Sequence, residues 1–140
     1  MWHFLKRLLL GTIVTLPLSA QELVVIVNPS NQTTELTHRQ LVNLYMGRTQ
    51  NYPDGKLALP VDQAPDSAAR ETFYKTLVGK SVAEVNAYWA RLLFTGRASP
   101  PRSLTDSETV LQVVRENRNA IGYIESKYVD DTVKVVGRVR

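Results

Sequence analysis

Hydrophobic runs and helical patterns alternate along the chain. Four apolar or β-branched runs of four to six residues predict buried strands over residues 23–28, 57–62, 120–124 and 133–136. Pro60 lies inside the second run, which predicts an edge position or an early end for that strand. Because helical segments separate the strands, we predict a single α/β domain with a mixed, mainly parallel sheet flanked by helices. An antiparallel arrangement is the alternative for the final pair of strands.

Four helices are predicted, three of which begin with a capping box. In such a box a Ser or Thr hydroxyl and the Glu or Gln three residues later bind each other's backbone N–H groups. The boxes pair Thr37 with Gln40, Ser81 with Glu84 and Thr105 with Glu108. The remaining helix is predicted from Ser67 to Val78, and glycines mark expected helix ends at Gly47, Gly79 and Gly96. The stripe Val85, Tyr88, Trp89, Leu92 and Leu93 predicts a buried face whose aromatic pair belongs to the core.

Residues 1–20 have the features of a secretory signal. Lys6 and Arg7 precede an apolar stretch from Leu8 to Leu18, and Ser19-Ala20 completes a cleavage site of small residues. The stretch is shorter than the about 20 apolar residues of a membrane span, so an uncleaved anchor is the weaker interpretation. The chain also has no cysteine, which fits a bacterial periplasm better than a disulfide-stapled secreted scaffold. We therefore predict a periplasmic domain over residues 21–140.

Charge and motifs exclude several classes of function. Without Lys6 and Arg7, 15 basic residues stand against 13 acidic ones, and acids alternate with bases, so we expect no nucleic-acid partner. His38 is the only histidine after residue 20, and catalytic and nucleotide-binding motifs are missing from the sequence. We interpret His38 as a solvated first-turn residue and Asp130-Asp131 as a surface turn. The sequence thus predicts a non-enzymatic protein with no cofactor and no metal.

The helix start after the second predicted strand is the best candidate for chemistry. N–H groups in the first turn of a helix have no partner within the helix, and such a start can bind an anion. We predict a small-oxyanion site made by the Ser67 hydroxyl, the N–H groups of Ala68 and Ala69, and the Arg70 guanidinium. Ser30 is expected to assist, because loops that follow parallel strands meet at one edge of the sheet.

Two interpretations without a ligand stay open at this helix start. Ser67 or Asp66 can cap its own helix, a role that stabilises a helix by about 1 kcal/mol with no anion present. The Asp66 carboxylate can also occupy the place that an anion would take. Each alternative predicts a helix start that binds nothing from solution.

The order of these motifs resembles the phosphate-binding proteins of bacterial ABC importers, and more closely the small one-lobe members of that periplasmic family. The residues that carry the resemblance are LYMG and NYPDG, Ser67, Phe73 and the run Ala120-Ile121-Gly122-Tyr123. The resemblance implies one lobe of a type II periplasmic-binding-protein-like fold. It also implies that Ser67 matches the serine of the family's phosphate-binding loop. Ala68 and Ala69 stand where the family has Gly and Thr, and Asp62 and Gln63 replace an arginine just before the loop.

The resemblance implies phosphate or a similar oxyanion as the ligand, with an ABC transporter permease or another periplasmic protein as a partner. A single lobe leaves one side of a bound anion in water, so we expect weak binding unless a partner or a homodimer covers that side. The alternative is an interaction or sensory module that keeps the substrate-binding fold but has lost its ligand.

Overall fold

The computed structural model describes Gly11 and residues 22–139. Apart from Gly11, the predicted signal over residues 1–20 lies outside the described residues. The elements in chain order are β1 (Leu23–Val27), α1 (His38–Tyr45), β2 (Leu59–Gln63), α2 (Ala68–Val78), α3 (Val82–Phe94), β3 (Arg102–Leu104), α4 (Ser107–Glu116), β4 (Ala120–Glu125), a 3₁₀ turn (Ser126–Tyr128) and β5 (Lys134–Val139). Within the described residues, no helix has both the length and the apolar character needed to cross a bilayer.

The five strands form one mixed sheet in the order β3-β2-β4-β1-β5. β2 runs parallel to β3 and β4, whereas β1 runs antiparallel to both β4 and β5. Four strands therefore point the same way and β1 alone is reversed, which confirms the α/β class and the mainly parallel sheet. The last two strands do not pair with each other, because β1 lies between them.

Pro60 occupies a gap in the hydrogen-bond ladder. β2 lies inside the sheet, so the predicted edge position is wrong for the strand as a whole. However, β3 pairs only with Val61 to Gln63 and leaves one side of Pro60 open. The Leu59 N–H donates to the Asn119 carbonyl on the β4 side (2.9 Å), so the next nitrogen along the strand faces the open side. A proline without an N–H is tolerated at that position.

The helix starts follow the predictions, with one exception. The capping boxes at Thr37 and Ser81 are both present, and α2 ends at Gly79 in the left-handed conformation. The third predicted box is wrong, because α4 begins at Ser107 and its N-cap is Asp106. The Asp106 carboxylate accepts from the Thr109 N–H at 2.9 Å and thereby takes the role predicted for Thr105. β3 (Arg102–Leu104) was not predicted.

The core lies on both faces of the sheet. On one face, residues of β1 and β4 pack against α1, α2 and α3, and on the other they pack against α4. All five residues of β1 are buried, as expected for a strand covered on both faces. A Cβ on Gly122 would lie 2.4 Å from Val110 Cγ1, so α4 packs on β4 at a distance that only glycine allows.

The aromatic pair of α3 belongs to the core, as predicted. Trp89 is buried and Tyr88 is partly buried, with its hydroxyl donating to the Met46 carbonyl at 2.5 Å. Leu93 departs from the predicted buried stripe, because its side chain is 57% exposed.

Candidate functional site

Ser67 is the N-cap of α2. Its backbone is extended (φ −68°, ψ 128°), and its Oγ accepts from the Arg70 N–H at 3.3 Å. The same hydroxyl donates to Gln63 Oε1 at 3.1 Å. The proton of the Ser67 hydroxyl is therefore already directed to a side chain of β2.

The backbone donors of Ala68 and Ala69 remain at this helix start. Neither N–H donates a hydrogen bond to any residue in the described part of the chain. Ala68 is exposed and Ala69 is partly exposed, so both lie near solvent. With the positive end of the α2 dipole, they form the part of the predicted oxyanion site that is open to a ligand.

The Arg70 side chain is buried and already has a negative partner. Its Nε lies 3.3 Å from Asp62 Oδ2, and its Nη2 donates to Asn86 Oδ1 at 3.0 Å. Nη1 is also buried and has no hydrogen-bond acceptor among the described residues. The positive charge that the sequence predicted for an oxyanion is thus compensated within the protein.

Asp62 is the carboxylate at the centre of this arrangement. It is 3% exposed at the carboxyl end of β2 and accepts four hydrogen bonds. Oδ1 accepts from the Tyr123 hydroxyl and from the Gln63 N–H (2.8 Å), and Oδ2 accepts from the Tyr74 hydroxyl (2.6 Å) and from Arg70 Nε. A buried carboxylate requires this degree of compensation.

The hydroxyls of Tyr74 and Tyr123 both donate hydrogen bonds to the Asp62 carboxylate. Burial, and after it the negative charge of Asp62, raises the pKa of Tyr74 and of Tyr123 far above the ordinary tyrosine value. Both hydroxyls therefore keep their protons at neutral pH. The Asp62 carboxylate thus faces one positive charge and two hydroxyl donors. We call this group the Asp62 cluster; it consists of Asp62, Arg70, Tyr74 and Tyr123.

Ser30 does not belong to this site. β1 is reversed, so its carboxyl end lies beside the amino end of β4: Val27 is opposite Ile121 and Leu23 is opposite Glu125. The carboxyl end of β2, which leads to Ser67, lies at the other end of the sheet. The prediction that both loops share one edge is wrong because it assumed that β1 and β2 are parallel. The Ser30 hydroxyl instead donates to Asn28 Oδ1 at 2.6 Å.

Asp66 is exposed and does not fill the helix start. Within the described residues it has no hydrogen bond or ion pair, so the buried carboxylate near Ser67 is Asp62 and not Asp66. The helix start opens onto a groove of about 610 Å³ between α2 and α3. Its charged lining residues are Asp66, Glu71, Lys75, Lys80 and Glu84. Carboxylates thus outnumber ammonium groups there, which makes the groove a poor attractor of anions.

The contacts of Asp62 with Arg70, Tyr74 and Tyr123 were not predicted from the sequence. Two signals point to them: a carboxylate in an otherwise buried strand needs donors, and Arg70 and Tyr74 are four residues apart on one face of α2. Tyr123 and Asn86 had no local signal, since they come from distant segments. In the described part of the chain, no group of three His, Asp or Glu side chains is arranged to hold a metal ion.

No family model and no curated protein matches this chain. A solved phosphate ABC transporter substrate-binding protein of Clostridium perfringens, with phosphate bound, is 25% identical with a TM-score of 0.68. The match covers 83% of this chain and 44% of that protein.

Two further structures show the same fold at lower identity. An ABC-type phosphate transport receptor of Vibrio cholerae is 22% identical (TM-score 0.66; 83% of this chain and 45% of the receptor). PstS of Borrelia burgdorferi is 14% identical (TM-score 0.65; 84% of this chain and 47% of PstS). The chain spans less than half the length of each of these proteins. Over part of their length, this chain therefore has the fold of phosphate ABC transporter substrate-binding proteins.

Proposed function

We propose that this protein binds phosphate or a similar small oxyanion at the start of α2, as a periplasmic component or accessory of phosphate uptake. The observation that carries the proposal is the pair of unpaired N–H groups of Ala68 and Ala69 at the first turn of an 11-residue helix. Backbone donors at a helix start bind phosphate without any catalytic group. The C. perfringens relative has phosphate bound, which supports the choice of ligand.

The proposed binding is weak. A helix start favours an anion by about 0.3–1 kcal/mol, and by up to about 2 kcal/mol when partly buried, whereas a millimolar Kd requires about 4 kcal/mol. Arg70 adds little, because Asp62 compensates its charge. We therefore expect a Kd in the millimolar range or weaker for the chain alone. A second copy, a transporter permease or another periplasmic protein that covers the open side would strengthen binding.

The proposal is tested by following the backbone amide resonances during titration with phosphate and with sulfate. The Ala68 and Ala69 signals should move in a saturable way. Ala68→Pro removes one donor, and proline fits this first helical position because the preceding Ser67 is extended. The variant should lose most of the response.

His38→Pro is the matched control, since it makes the same change at the first position of α1, after an extended Thr37. It should leave the response to phosphate unchanged. If the Ala68 and Ala69 signals do not move, or if both proline variants weaken the response equally, the site is not at the start of α2.

A second candidate function is an interaction or sensory module that has lost its ligand. The Asp62 cluster favours it, because the protein's own carboxylate uses the Arg70 charge. This candidate predicts no heat when wild-type protein is titrated with phosphate or sulfate. It also predicts that Asp62→Ala frees donors for an added anion, so that formate raises the Tm of the variant but not of the wild type. Asp66→Ala, which removes an exposed carboxylate, should gain no response to formate.

A further inference from the structure

A second groove, of about 620 Å³, lies at the amino end of β2, away from Ser67. We call it the apolar groove; its lining includes Leu57, Leu59, Trp89, Leu93, Pro100 and Arg102. Leu57, Leu59 and Leu93 are each about half exposed, and Phe94, next to Leu93, is 94% exposed. The large apolar side chains that the described surface exposes thus lie at or beside one groove. A concentration of this kind marks a binding surface rather than ordinary surface composition.

Arg102 is the one charged residue that lines the apolar groove in the described part of the chain, and it is positive. Arg48 lies between the lining residues Gly47 and Thr49, and Arg97 follows the lining residue Gly96. In the described part of the chain, none of these three arginine side chains forms an ion pair or a hydrogen bond. No acidic residue lines the groove. An apolar surface with an unpaired arginine in its lining, and two more next to lining residues, is complementary to a molecule that is apolar and negatively charged.

The groove wall also contains a buried donor with no acceptor. Trp89 is 5% exposed, and its indole N–H has no hydrogen-bond partner among the described residues. The ring packs against Gly47, where an added Cβ would lie 2.6 Å from Trp89 Cη2. Buried polar groups in folded proteins are nearly always hydrogen-bonded.

We propose that the apolar groove binds a single-chain anionic amphiphile, with its alkyl chain on the leucines and its phosphate or carboxylate head on the arginines. The groove volume lies within the about 300–1,000 Å³ of ordinary ligand sites. A second copy of the chain is a poor occupant, because two such faces would bring their arginines together. The proposal does not depend on the oxyanion site at α2.

The test is a titration of the protein with dodecyl phosphate below its micelle concentration. Calorimetry measures the binding, and NMR follows the indole N–H signal of Trp89, which the Trp89→Phe variant identifies by its loss. Wild-type protein should bind with a shift of that signal. Each arginine near a negative head group contributes about a fivefold gain in affinity, so Arg97→Gln and Arg102→Gln should each weaken binding about fivefold. Dodecanol, which lacks the charge, should bind on the order of a hundredfold more weakly, since all three arginines lose their partner.

Two control variants show whether the amphiphile binds in the apolar groove. Arg39→Gln removes an exposed charge from the first turn of α1 and should leave binding unchanged. Ala68→Pro should also leave it unchanged, which distinguishes this site from the proposed phosphate site. Equal binding of dodecanol, or an equal loss with Arg39→Gln, would overturn the proposal.

Lipid vesicles test whether the anionic head group belongs to a membrane surface rather than to a free amphiphile. Suppose vesicles of phosphatidylglycerol bind, dodecyl phosphate does not, and Phe94→Ser abolishes vesicle binding. The face is then a membrane-docking surface and the proposal is wrong. If neither probe binds, the proposal also fails, and an acidic protein becomes the partner that fits the surface.

Discussion

Removing the charge of Asp62 is the most direct test of the Asp62 cluster. Asp62→Asn keeps the size of the side chain and one acceptor oxygen, so one of the Tyr74 and Tyr123 hydroxyls keeps its acceptor and the other faces the amide NH2 group. Arg70, 6% exposed, is left without a counter-charge. An unpaired buried charge is unfavourable because it has lost both water and its ion-pair partner.

The size of the expected loss of stability follows from the burial of both Asp62 and Arg70. Breaking a buried ion pair by removing one partner costs about 3–5 kcal/mol, whereas the whole free energy of unfolding of a domain is about 5–15 kcal/mol. We therefore expect Asp62→Asn to fold but to lose a large part of its stability. Asp66→Asn, three residues from β2 and exposed, should change stability by less than about 0.5 kcal/mol.

Urea unfolding followed by circular dichroism at pH 7 measures the loss. Arg70→Met and the double variant Asp62→Asn/Arg70→Met complete a double-mutant cycle. The double variant should be less destabilised than the sum of the single variants by about 0.5–3 kcal/mol, because neither charge is then left alone. A loss below about 1 kcal/mol for Asp62→Asn, or strictly additive single losses, would refute the role assigned to the pair.

Three further predictions concern packing, pH and capping. Gly122→Ala should lower stability by about 1–3 kcal/mol, because its Cβ would overlap Val110 Cγ1. The double variant Gly122→Ala/Val110→Ala should recover part of the lost stability, measured as the urea midpoint. No recovery would show that the clash is not with Val110. Tyr74 and Tyr123 have raised pKa values in the folded state, so their contribution is complete below about pH 10 and is lost as pH rises further. Urea midpoints should fall above that pH, and a flat profile up to about pH 11 would contradict this. Ser81→Ala should cost about 1 kcal/mol in thermal unfolding; no loss would mean that the α3 capping box contributes nothing.

Local features of this protein were predictable from the sequence. The capping boxes at Thr37 and Ser81 and the end of α2 at Gly79 involve residues within a few positions of each other, so short-range geometry decides them. The same holds for the strands over 23–27 and 120–125, which a β-branched or apolar run between turn residues identifies. Even among neighbouring residues the sequence left a choice of N-cap open, and Asp106 rather than Thr105 caps α4.

Contacts between distant segments decided the rest. The reversed direction of β1 is a property of its pairing with β4 and β5, roughly 100 residues further along the chain, and it moved Ser30 to the opposite end of the sheet from Ser67. Likewise, the sequence identified Arg70 as a charge beside a helix start, but only the fold brought Tyr123 and Asp62 together around it. A buried charge takes whichever compensating partner the tertiary packing supplies, because the interior offers no water in its place. Local spacing alone could therefore name the donors at α2, while the packed sheet determined which of them remain available to a ligand.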